Sequence, residues 1–269
     1  MVIKILVDNV TQSALQAEWG LAVYIEYRGH KLLLDTGASG RFIDNAAAMG
    51  IDLGQVEFGV LSHAHYDHAD GMKAFFQHNA SAPFYLRRGA QENCYKKDGL
   101  FPKYIGIHKG YLSQFQDRII FADGDFQVIP GLWLIPHKTP GLDKIGKTAH
   151  MYVKKNWRLR PDSFDHEQSL VLDTQQGLVI FNSCSHGGAD NIIREVAGTF
   201  PGKHIHALIG GLHLFASPDE DILALARRVS ETGIDKVYTG HCTGAHAMEL
   251  LCQELGDRVE QIYTGMEIL

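Results

Sequence analysis

The sequence predicts an α/β protein, two sheets packed together with helices outside. Three observations lead there. Short apolar strands come in pairs early in each half of the chain, and they alternate with helices later. Several of the strands run into glycine-rich turns that carry histidine.

Residues 2–7 alternate as a first strand. Leu21–Tyr27 and Lys31–Asp35 read as two more, joined by a turn at Arg28-Gly29-His30. Thr36–Gly40 breaks the pattern, and a helix runs from about Arg41 to Met49 and stops at Gly50. Phe58–Leu61 is the next strand, followed by a helix near 70–78 and a strand near Pro83–Leu86. Residues 87–165 mix basic pairs, glycine and proline with short apolar runs such as Arg118–Phe121 and Leu132–Ile135. They read as short strands in long loops, an irregular insert of the kind that covers an active site. Regularity returns with a hairpin, Gln168–Asp173 and Gly177–Phe181, turning through Thr174-Gln175-Gln176. A helix near 189–199, a strand His204–Ile209, a helix Pro218–Thr232, a strand Lys236–Thr239, a helix 244–255 and a strand near 260–263 follow. No tandem repeat is evident, and residues 1–269 read as a single domain.

Composition narrows the function. At 45% hydrophobic and 21% charged residues the chain is an ordinary globular protein. No stretch approaches the roughly 18 apolar residues of a membrane span, so no membrane partner is expected. The first residues are too short an apolar run for a signal h-region, and the expected compartment is the cytoplasm. A net charge of −6 argues against nucleic acid as a partner. It leaves room for a small, anionic or phosphorylated substrate, because two divalent ions would make a site locally positive. The four cysteines form no C-x-x-C pair. Oligomeric state is left open.

Residues 61–68, Leu-Ser-His-Ala-His-Tyr-Asp-His, place four metal-ligand candidates, His63, His65, Asp67 and His68, within six positions after an apolar strand. Histidines at i and i+2 on extended backbone point to one side. Asp67 and His68 lie past the turn and can aim at a neighbouring point, so one segment can serve two ions. Imidazole with carboxylate suits zinc, iron or manganese.

Three later turns repeat the design of strand, glycine-rich turn and histidine: Asn182–Gly188, Gly210–His213 and Thr239–Gly244. Strand C-terminal ends are where α/β sheets build sites. His186 and His241 are the best ligand candidates there. Cys184 is either a thiolate ligand or a small buried residue. His213 reads as a metal ligand, a phosphate contact or a general acid, with substrate contact preferred. Cys242 reads as packing beside His241.

The His-x-His-x-Asp-His pattern resembles the signature of the metallo-β-lactamase superfamily. Leu-Asp-Thr-Gly at 34–37, Glu-Gln-Ser-Leu at 167–170, Cys-Ser-His at 184–186, Gly-Gly-Leu-His-Leu at 210–214 and His-Cys-Thr-Gly at 241–244 add to it. Together they resemble the 7,8-dihydropterin-6-yl-methyl-4-(β-D-ribofuranosyl)aminobenzene 5′-phosphate synthase-like branch, over most of the chain outside 87–165.

The resemblance implies a four-layer αββα sandwich and two divalent metal ions, zinc first, with iron or manganese as alternatives. It implies a metal-dependent hydrolase in which activated water attacks an ester, lactone, thioester or phosphodiester, or a related phosphate synthase-like transferase. In that scheme His63, His65 and His186 hold one ion, while Asp67, His68 and His241 hold the other. Asp67 also steers the nucleophile, Cys184 stands at the usual bridging-carboxylate position, and Asp35 supports the ligand loop by hydrogen bonds. The superfamily's third histidine usually lies before residue 184 in a Gly-His-Thr setting that this chain lacks, which leaves His186 as first choice and His166 as the alternative. Two rivals stand beside this reading. One is a diiron redox protein, disfavoured because such members carry glutamate where this chain has His65. The other is a metal-loaded binding or sensing protein.

Overall fold

The computed structural model describes residues 1–268. The chain groups into two compact units, each organised around one seven-stranded sheet.

The first unit comprises Met1–Asp123, Gly141–Glu167 and the C-terminal segment from Tyr263. Its sheet runs, edge to edge, Glu267–Ile268, Val2–Val7, Ala22–Tyr27, His30–Leu34, Phe58–Val60, Phe84–Arg87, Ile119–Ala122. Antiparallel pairing brings in the first strands. The hairpin turns at Arg28-Gly29, where both residues have positive φ (51° and 86°), the geometry of a tight twisted turn. From His30–Leu34 onward the strands are parallel, so their C-terminal ends share one edge of the sheet. The helices Arg41–Ala48 and Met72–His78 bury Phe42, Ala46, Met72, Phe75 and Phe76 in one core with Leu33, Phe84 and Leu86 of the strands. Each fully buried side chain of this size contributes about 1.5–3 kcal/mol. A second, four-stranded sheet joins Arg158–Pro161, Met151–Lys155, Cys94–Lys96 and Lys103–Tyr104.

The second unit comprises Gly124–Pro140 and Gln168–Ile262. Its strand order is Val259–Gln261, Lys236–Thr239, Ile205–Ile209, Gly177–Phe181, Gln168–Thr174, Leu132–Pro136, Phe126–Ile129. The first four strands are mutually parallel and the rest antiparallel. Helices Ala189–Thr199, Asp219–Glu231 and Ala245–Leu255 pack Ile192, Val196, Ile222, Leu225 and Leu251 against Ile180, Leu208 and Val237 of the strands. No helix among the described residues is long and apolar enough to cross a membrane.

Most expected elements are present within a residue or two. Residues 87–165 differ from the expectation of one irregular block. Ile119–Ala122 extends the first sheet, parallel to Phe84–Arg87, while Phe126–Ile129 and Leu132–Pro136 belong to the second. Runs of four or five residues carry too little periodicity to show which sheet they join. The motif turn also holds a short helix, Tyr66–Ala69, and the helix expected near 70–78 spans Met72–His78.

Candidate metal centre

In the first unit the motif hangs from the end of Phe58–Val60, a strand hydrogen-bonded on both sides. His63, His65, Asp67 and His68 are all buried. Four donors out of solvent need specific partners, and Asp35 supplies several. It ends the neighbouring strand with a φ of 58°, rare for a residue with a Cβ. Its Oδ1 accepts from the Ser62 amide at 2.7 Å, and its Oδ2 from the Ser62 hydroxyl at 2.6 Å. The same Oδ2 lies 2.8 Å from His68 Nδ1. A proton on Nδ1 fixes the tautomer in which Nε2 carries the lone pair, the form that binds metal. The Ser62 hydroxyl also lies 2.8 Å from His63 Nδ1. Thr36 ties down the far end of the turn, its amide and hydroxyl both donating to the His68 carbonyl, at 2.8 and 2.9 Å.

His68 Nε2 lies 3.8 Å from Asp67 Oδ2. Two ligands of one tetrahedral zinc at ordinary bond lengths sit ~3.4 Å apart, so this pair fits one ion with a small closure. Trp19 Nε1 donates to the same Asp67 oxygen at 2.9 Å. Sequence patterning gave no sign of Trp19, which lies 48 residues from its partner.

His166 belongs to this unit. With His65, Cys94 and Asp162 it forms a buried group whose donor atoms all lie within 4.8 Å of one another. Its Nε2 lies 3.0 Å from Asp162 Oδ2, and its Nδ1 accepts from the Ala64 amide at 3.2 Å. Both ring nitrogens are therefore engaged, one of them by the backbone between His63 and His65. His166 thus steadies the ligand turn. Asp162 and Cys94 were missed by sequence reasoning. The i, i+4 spacing of Asp162 and His166 was the available signal, but no helical pattern accompanied it.

In the second unit three adjacent parallel strands end in the three turns singled out by sequence. Cys184, His186, His241 and Cys242 are buried and His213 is half-buried. Donor atoms of Cys184, His186 and His213 lie within 4.8 Å of one another, and so do those of Cys184, His241 and Cys242. The His186 and His213 rings are 4.4 Å apart at their centroids. Ser185, His213 and His241 have φ of 53°, 51° and 48°. Left-handed backbone at residues with a Cβ costs on the order of 1–3 kcal/mol each and persists only where its surroundings enforce it. The enforcement is visible. The Ser185 amide donates to Asn182 Oδ1 at 2.8 Å, Gly211 N to Ser183 O at 2.8 Å, and Leu212 N to the Thr243 hydroxyl at 2.9 Å.

Cys242 is buried beside His241, as expected, and close to Cys184 as well. Burial pushes its thiol pKa up, but the Cys184 hydrogen bond and the His241 and His213 imidazoles outweigh that and hold it well below the ordinary thiol range. Two exposed cations, Lys138 and Arg88, are paired with carboxylates. Lys138 Nζ lies 2.8 Å from Asp125, and Arg88 is 2.7 Å from Asp123.

Imidazole, carboxylate and thiol donors, buried and held by partners behind them, suit a zinc-class divalent ion. The comparison with known families agrees. Residues 20–148 match the model of the metallo-beta-lactamase superfamily, a segment containing the whole His63–His68 motif. That segment of the chain is similar to the metallo-beta-lactamase superfamily. The metallo-beta-lactamase fold extends past the matched segment. A solved structure of a metal-dependent hydrolase of the beta-lactamase superfamily aligns with TM-score 0.86 at 29% identity, covering 100% of this chain and 98% of that one. A diphosphatase from the PhnP family shares the fold at TM-score 0.57 and 13% identity, covering 100% and 97%. Among curated relatives, the 7,8-dihydropterin-6-methyl-4-(beta-D-ribofuranosyl)-aminobenzene-5'-phosphate synthase of Methanocaldococcus jannaschii is 24% identical over 266 residues, 94% of this chain and 90% of that protein. The fold class and the resemblance read from the sequence are thus borne out.

Proposed function

We propose that this metallo-beta-lactamase domain is a metal-dependent hydrolase acting on a small anionic substrate, with zinc as its metal. The observation that carries the reading is the Asp35–Ser62–His68 arrangement, which fixes a buried imidazole in its ligand tautomer beside Asp67. The likeness to a metal-dependent hydrolase over the whole chain supports it.

In this reading His63, His65, Asp67 and His68 of the first unit are ligands, and Cys184, His186 and His241 of the second are ligands. Bound divalent ions supply Lewis acidity and bring the pKa of water toward neutrality. The chain's own residues do the rest. Trp19 holds the Asp67 carboxylate at Oδ2, so that the group can orient attacking water or accept its proton. His213, half-buried beside Phe215 with ring centroids 5.3 Å apart, contacts the substrate and can protonate a leaving oxygen. A phosphate-bearing substrate is the narrower proposal, motivated by the synthase relative.

The test is a panel of phosphodiester, phosphomonoester, lactone and thioester substrates offered to zinc-loaded and chelated protein. Turnover of at least one class that disappears on chelation and returns with zinc is expected. No turnover of any class by fully loaded protein would favour a binding or sensing role.

A further inference from the structure

We propose that Cys242 is a metal ligand, and that with Cys184 and His241 it forms a thiolate-rich site in the second unit, selective for a thiophilic divalent ion. The proposal rests on the hydrolase reading only in taking Cys184 and His241 as ligands. Cys242 and the resulting choice of metal are new.

The three donor atoms, two Sγ and one imidazole nitrogen, lie within 4.8 Å of one another, and all three residues are buried. Ligands of one tetrahedral ion at zinc–sulfur and zinc–nitrogen lengths sit ~3.4–3.8 Å apart. Side-chain shifts of about an ångström or less would therefore close this set on an ion. Two thiolates and one imidazole are an established zinc ligand set that leaves a fourth position open. His213, whose donor atom lies within 4.8 Å of those of Cys184 and His186, stands next to the set.

The backbone gives a second, independent reason. Cysteines buried for packing alone sit among apolar side chains. Cys242 Sγ faces the Cys184 carbonyl at 3.8 Å. A Cβ at Gly211 would lie 2.5 Å from that sulfur and 2.9 Å from Ser183 O, so only glycine leaves the space the thiol occupies. His241 holds a left-handed φ of 48° immediately before Cys242. Successive residues on regular backbone diverge, whereas this local twist brings the side chains of 241 and 242 to one point together with Cys184. Soft thiolates favour zinc, cobalt and cadmium over manganese and magnesium.

The experiment is cobalt titration of the stripped full-length chain under a metal-free, thiol-free reductant, followed in the near ultraviolet where sulfur-to-cobalt charge transfer absorbs. The wild type is expected to show the band. Cys242→Ser should lose about half of it and weaken cobalt binding about tenfold or more, while Cys252→Ser, at an exposed position, should change neither. An unaltered band and affinity in Cys242→Ser would overturn the proposal. Should that variant fail to fold, Cys184→Ser decides without touching Cys242. X-ray absorption of its zinc form should keep a sulfur shell at ~2.3 Å, and loss of that shell would overturn the proposal. Zinc-dependent turnover with a thiolate band that Cys242→Ser leaves unaltered would sink this inference alone. A thiolate band without turnover on the panel would sink the hydrolase reading and leave this site standing.

Discussion

Asp35 shows how much one buried side chain can organise around it. It accepts from the Ser62 amide and hydroxyl and from His68, all out of solvent. Replacing it by alanine leaves those donors buried and unmatched, at about 1–3 kcal/mol for each that fails to find water. Asp35→Ala should lower the denaturation midpoint measurably. Asp35→Asn, which keeps the shape, should weaken zinc binding about 10–100-fold in a chelator competition. Unchanged affinity in Asp35→Asn would mean that His68 is not a ligand. A second residue-scale test separates His186 from His166. His186→Ala should reduce bound metal per chain. His166→Ala should leave metal stoichiometry nearer the wild type and show its effect as lost stability, since His166 bonds Ala64 and Asp162. Wild-type metal content in His186→Ala, with loss in His166→Ala, would reverse the assignment.

At the scale of elements, glycine positions show where two segments approach too closely for a Cβ. A Cβ on Gly59, in the strand that launches the motif, would lie 2.0 Å from the ring of the fully buried Phe84. Gly59→Ala should destabilise by about 1–3 kcal/mol or more through overpacking. Phe84→Leu should recover part of that loss when combined with it, and additive losses in the double variant would contradict this packing account. The helix Ala189–Thr199 carries a pH-dependent contact. Burial raises the Glu195 pKa, but His137, the Thr139 amide and the Lys138 amide together outweigh that and leave it lowered. A lowered folded-state pKa contributes stability fully present above the unfolded value of ~4.3 and lost as pH falls through the folded value. The stability gap between wild type and Glu195→Gln should therefore be constant near neutrality and shrink on acidification below about pH 4. A gap that widens with acid would contradict the shift.

These elements also show what the sequence could and could not convey. The strand and turn at 58–68 was legible because residue type, spacing and burial pattern coincide in one short segment. The helix at 189–199 was legible because its period and its Gly188 boundary agree. The partners at long separation were not. Trp19 reaches Asp67 across 48 positions, and Ala64 meets His166 across 102. No local rule encodes such pairs. Cys242 was visible beside His241, but its proximity to Cys184, 58 positions away, was not.

For the whole molecule, both units follow the same plan. Parallel strands deliver histidine-bearing turns at their C-terminal ends, and helices cover an apolar face of each sheet. The central claim is that these turns hold metal for hydrolysis. Its most direct test is metal content by elemental analysis alongside turnover on the substrate panel, before and after chelation and again after zinc is restored. The account predicts stoichiometric zinc, activity that vanishes with the metal and returns with it. Stoichiometric redox-active iron with no hydrolytic turnover would contradict it.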